Sequence, residues 1–169
     1  MSEGLEFVIR AALIGIGATV VLDLWAAFLK SVLGGPSTNW GMVGRWFGHF
    51  RRGCFVHDNI AEAPPVRGEL MIGWGAHYAI GIVFSALLLA IWGLGWARHP
   101  TPLPALIVGL FTLVAPFFVM QPAMGAGIAA SNTPNPNVAR LRSIAAHMVF
   151  GIGLYGSALL FAADPAMTV

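Results

Sequence analysis

The stretch Met71-Ile72-Gly73-Trp74-Gly75-Ala76-His77-Tyr78-Ala79-Ile80-Gly81-Ile82-Val83-Phe84-Ser85-Ala86-Leu87-Leu88-Leu89-Ala90 decides the fold. It holds no Lys, Arg, Asp or Glu. The apolar run around it extends from about Glu69 to Trp96, and about 20 residues are enough to cross a bilayer as a helix. Three further runs are as long: about Leu5 to Leu33, Leu103 to Ser131 and Asn137 to Ala163. A lone strand in lipid leaves its backbone polar groups unsatisfied, so each run is expected to be helical. The sequence therefore predicts an all-α fold, a four-helix transmembrane bundle forming a single membrane domain over residues 1–169.

Composition agrees. The chain is 57% hydrophobic and 9% charged, against roughly 25% charged in an ordinary soluble domain. The net charge of +2 is small and the basic residues fall in loops, which argues against a nucleic-acid partner and for the lipid bilayer. A single cysteine, Cys54, allows no internal disulfide. The opening Met1-Ser2-Glu3-Gly4-Leu5-Glu6 is acidic, unlike the basic start of a cleavable signal.

Orientation is read from the cations. Lys30, Arg45, Arg51, Arg52, Arg67, Arg140 and Arg142 fall on one side, Arg98 on the other, joined there by Arg10 if it snorkels outward. The positive-inside rule then places the long first loop in the cytoplasm and both termini in the periplasm. Trp92, Trp96, Trp40 and Trp46 read as interfacial anchors. Within the loop, Trp40 to Arg52 mixes aromatics with arginines. Its two readings are a helix lying on the inner leaflet and a lid over the mouth of the bundle. Asn39, Arg45, His57, Arg67, Glu69, Asn132 and Arg140 are the candidate mouth and lid residues. Helices two and four suggest an internal repeat, since Ala76-His77 and Gly81-Ile82 recur as Ala146-His147 and Gly151-Ile152.

Four polar residues reach a similar depth. At about 1.5 Å rise per residue, Asp23 and His77 sit about 10–12 Å inside the cytoplasmic ends of their helices, and Gln121 and His147 about 15 Å. Facing lipid would be expensive for each, so an intramembrane polar site of Asp23, His77, Gln121 and His147 is expected. One reading makes it a ligand or cofactor site, with His77 and His147 ligating a divalent metal or haem b and Asp23 assisting. Gly73, Gly81, Ser143 and Gly151, one turn from the histidines, would leave room for a macrocycle. A second reading is a small proton-coupled transporter, with Asp23 carrying the proton beside a third helix broken by Pro116, Pro122 and the small residues after them. A third is a structural subunit whose polar set only joins helices. Glycine-rich helix faces also allow a homodimer.

Several motifs together carry a family resemblance: Asp23-Leu24-Trp25; Asn39-Trp40-Gly41-Met42-Val43-Gly44-Arg45-Trp46; Gly68-Glu69 with Gly73-Trp74 and His77-Tyr78; Met120-Gln121-Pro122 with Gly125; and Ala129-Ala130-Ser131 with Thr133-Pro134 and Pro136. The chain resembles the DUF2938 family of small bacterial membrane proteins over nearly its whole length. The resemblance implies a multi-pass protein of the bacterial inner membrane and brings no activity, cofactor or catalytic residue with it.

Overall fold

A computed structural model describes residues 1–34 and 38–162. The expected end of the fourth run at Ala163 lies outside the described residues. The described residues form six α-helices, α1 (Glu3–Leu33), α2 (Trp40–His49), α3 (Glu69–Arg98), α4 (Pro102–Phe111), α5 (Gln121–Ala123) and α6 (Pro136–Ala162), and no strand. Four segments are long and apolar enough to cross a membrane: Glu3–Val32, Glu69–Arg98, Pro102–Ala123 and Pro136–Ala162. The fold is that of an all-α membrane protein.

Local chemistry sets the ends of α1. The Ser2 hydroxyl accepts from the Leu5 amide at 3.4 Å, and Glu3 and Glu6 occupy the positive end of the helix dipole. At the other end Gly34 turns left-handed with φ 61°, returning its N–H to the Lys30 carbonyl. The third apolar run departs from its expected course to Ser131. After α4 it passes through a π-helical turn, Ala115–Met120, then α5, and the helix ends at Ala123. Pro116 and Pro122 each lack an N–H, so two helical donors are missing from this segment. Beyond it, Gly125 and Gly127 take positive φ, and so do Ala129 and Ala130 in the short 3₁₀ turn Ile128–Ala130.

The chain gathers into two compact units. The first comprises the described residues of Met1–Gly35, Tyr78–Thr112 and Ala145–Val169. Parts of α1, α3, α4 and α6 form a helical bundle there, around Ile14, Ala18, Leu88, Leu89, Val108, Leu154 and Ala158. Apolar burial alone gives little drive between helices in lipid, so close backbone approach matters more. Gly15 supplies it: a Cβ there would lie 2.6 Å from the Ile82 Cα. Gly109 does the same against Gly151, at 2.7 Å from its Cα.

Arg10 corrects an expectation in this unit. It does not snorkel outward but is 0% exposed. Its Nε donates to Glu6 Oε1 at 2.8 Å, one turn back, and one Nη reaches the Ala97 carbonyl at 3.3 Å. Arg98 binds both oxygens of the same carboxylate, at 3.0 and 2.6 Å. Trp96 is buried in the same unit, and its indole N–H donates to the Thr101 carbonyl at 3.1 Å.

The second unit comprises the described residues of Pro36–His77 and Leu113–Ile144. Here α2, capped by the Asn39 side chain, packs against the start of α3. A Cβ on Gly44 would collide with the Glu69 carbonyl, and one on Gly73 with the Trp40 carbonyl. Such contact anchors α2 to protein backbone, whereas a helix resting on a leaflet would need no glycine there. The Trp46 indole N–H donates to the Phe55 carbonyl at 2.8 Å, and the ring is buried.

Candidate functional site

Each residue of the expected polar set has an identifiable neighbour. In the first unit, the Tyr78 hydroxyl donates to Asp23 Oδ2 at 2.9 Å. Thr19, one turn before Asp23, is buried and donates to its own helix at the Gly15 carbonyl, 2.8 Å away. His147 places Nδ1 2.9 Å from the Thr112 hydroxyl oxygen and 3.2 Å from the Gly109 carbonyl. The Thr112 hydroxyl gives its proton to that same carbonyl, at 2.7 Å. Nδ1 of His147 is therefore the donor, which leaves the Nε2 lone pair as the free ligating position.

In the second unit His77 is 8% exposed and lies against aromatic faces. The Trp40 ring stacks on it with centroids 3.9 Å apart and planes at 28°, and the Trp74 ring stands edge-on at 5.8 Å. Gln121 sits at the junction of the π-turn and α5. Its Nε2 reaches the Ser143 hydroxyl oxygen only at 3.5 Å, and its Oε1 is buried with no hydrogen-bond partner among the described residues.

The small residues beside the histidines serve helix packing, which corrects the expected space for a flat macrocycle. Gly73 is filled by the Trp40 backbone, Gly81 by the Thr19 side chain, and Gly151 by the Ala105 carbonyl at 3.1 Å from a built Cβ.

The candidate mouth residues are largely engaged in holding the second unit. Arg45 makes a bidentate pair with Glu69, 2.9 Å at each contact, and its remaining Nη reaches the carbonyls of Ile60, Ala61 and Ala63. Its hydrogen bond to Glu69 raises the Arg45 pKa above its ordinary value, so the clamp stays charged at physiological pH. Glu69 also accepts from the Val66 amide at 3.0 Å. Arg140 donates to the carbonyl of the positive-φ residue Ala129 at 2.9 Å. Asn132 reaches the Gly125 carbonyl at 3.5 Å. Arg67 is exposed just ahead of α3. His57 lies beside His49 and Cys54.

Residues 12–161 match the family described as "Protein of unknown function (DUF2938)". The chain belongs to the DUF2938 family. No curated protein and no solved structure matches it. The matched segment of this DUF2938 chain includes Asp23, His77, Gln121 and His147 and the Arg45–Glu69 clamp, while Glu6 and Arg10 precede it.

Sequence reasoning missed four features of this DUF2938 protein: Tyr78 on Asp23, Trp40 on His77, the carboxylate shared by Arg10 and Arg98, and the pairing of His49 and Cys54 with His57. The last left a sequence signal in the short spacing of His49, Cys54 and His57, and the third left part of one in Arg10, four residues after Glu6. The others depend on which helix faces meet, which hydropathy does not encode.

Proposed function

We propose that this protein is a multi-pass inner-membrane protein, its α2-bearing loop cytoplasmic, that binds a small polar ligand at Gln121 within the broken third span. The observation that carries this reading is the Gln121 Oε1, buried with no hydrogen-bond partner among the described residues. An orphaned buried acceptor costs about 1–3 kcal/mol, and a hydrogen-bond donor or cation placed there recovers that cost. The surroundings support it. A π-turn leads into Gln121, two prolines remove backbone donors, and π-turns concentrate at functional sites. Interrupted helices beside polar side chains are how membrane proteins build ligand sites at membrane depth.

The test is a thermal-stability screen of detergent-solubilised protein against ammonium, guanidinium, alkali cations and small polyols. At least one donor or cation is expected to raise the melting temperature of the native protein and not that of Gln121→Leu. If Gln121→Leu simply melts higher and no compound shifts the native protein, the amide is an idle buried group and the reading fails.

Asp23 favours a second reading, proton-coupled transport, because it is a carboxylate within the first span that accepts from the Tyr78 hydroxyl at 2.9 Å. Asp23→Asn is then expected to abolish pH-driven uptake in proteoliposomes, while Tyr78→Phe, which keeps the carboxylate, retains it at a reduced rate. Uptake unchanged in Asp23→Asn would remove this reading.

A further inference from the structure

We infer that His49, Cys54 and His57 form a binding site for a zinc-class divalent transition metal. This is independent of the intramembrane reading and lies in the loop between α1 and α3. One ligating atom from each residue falls within 4.8 Å of the other two. Nδ1 of His49 is 2.7 Å from Nε2 of His57, and the Cys54 Sγ is 3.5 Å from that same Nε2. One thiol and two imidazoles are the borderline-soft donor set that Zn²⁺ and its neighbours prefer.

The backbone brings the three together by a short route. His49 ends α2, the 3₁₀ turn Phe50–Arg52 follows, and Gly53 takes φ 69°, reversing the chain. The Cys54 amide then donates back to the His49 carbonyl at 3.3 Å. The return limb is fixed by the Trp46 indole on the Phe55 carbonyl and by the His57 amide on the Ala123 carbonyl at 2.8 Å. Both flanks of the cluster are thus held by the second unit itself.

The outer nitrogen of His49 suits a metal as well. Nε2 of His49 lies 3.0 Å from the Pro64 carbonyl, which can only accept, so the proton sits on Nε2 and Nδ1 turns its lone pair inward. Nδ1 of His57 is buried without a hydrogen-bond partner among the described residues. The His57 proton can therefore move from Nε2 to Nδ1 without breaking a bond on that side. Metal binding replaces the His49–His57 hydrogen bond with two metal–nitrogen bonds and releases the Cys54 thiol proton to solvent. Metal–nitrogen bonds of about 2.0–2.1 Å in tetrahedral geometry set the two nitrogens roughly 3.3 Å apart. Rotation of the two imidazole rings provides that while the backbone stays held, and the exposed Cys54 side chain is free to follow. Three protein ligands leave a fourth position for water or an exogenous group.

The test uses tag-free, full-length protein in detergent, stripped with chelator and titrated with Co²⁺ as the spectroscopic probe. One ion per chain is expected to bind, with a thiolate-to-cobalt charge-transfer band that Zn²⁺ displaces. Cys54→Ser, at an exposed position, should keep its helical circular dichroism and lose the band. His57→Ala should weaken binding by at least the roughly 100-fold that losing an outer-shell partner can cost. No saturable binding, or a band that survives in Cys54→Ser, would overturn the inference and leave a hydrogen-bonded histidine pair.

Discussion

Glu6→Gln is expected to destabilise the protein by about 3–5 kcal/mol, the cost of stranding a buried charge. Glu6 is the carboxylate that answers two guanidiniums, and one of them, Arg10, is 0% exposed. A neutral amide can still hydrogen-bond but no longer compensates Arg10. Backbone carbonyls at Ala97 and Phe161 soften the loss without removing it. The measurement is denaturant unfolding of the detergent-solubilised protein, with the double variant Glu6→Gln, Arg10→Met as its control. Removing both charges is expected to recover much of the stability, because a buried pair can be replaced by apolar groups at little net cost. A single variant within about 0.5 kcal/mol of the native protein, the usual range for surface changes, would show that Arg10 finds water in solution.

The second large effect is expected at Gly44→Ala. The added Cβ would overlap the Glu69 carbonyl and approach the Gly73 nitrogen at 2.6 Å. Both are backbone atoms inside α3, so neither can move as a side-chain tip could. Overpacking costs typically about 1–3 kcal/mol, and here it also pulls Arg45 off Glu69, on which three loop carbonyls depend. We expect a loss at or above the top of that range, together with faster proteolysis between α2 and α3. Gly75→Ala is the matched control, since a Cβ there meets nothing within 4 Å and alanine suits a helix better by roughly 0.5–1 kcal/mol. Equal stability of the two variants would contradict the glycine-mediated packing of α2 on α3.

How much of this was legible in the sequence varies with the kind of force involved. The four spans were, because a run such as Met71 to Ala90 without a charge has few other stable solutions. The third was read too long: proline marked its kinks, but the end at Ala123 is set by the turn through Gly125 and Gly127, where φ is positive. Asp23 could be singled out as expensive in lipid, yet nothing in its neighbours pointed to Tyr78, which follows His77 on a distant helix. Counting Arg10 on the outer side, if it snorkels, overlooks the carboxylate of Glu6 four residues earlier, which holds it inside. The glycines around His77 read equally as ligand space or as packing, and only the positions of Trp40 and Thr19 decide between the two.

The most direct measurement is an experimental density map of the protein extracted from its native membrane without ligand exchange. Our account expects a non-protein feature within hydrogen-bond distance of the Gln121 carbonyl oxygen, beside the Ser143 hydroxyl, with the third span broken at Ala115–Met120. A continuous third helix, or a Gln121 oxygen satisfied by another protein side chain with no feature beside it, would contradict the proposed site.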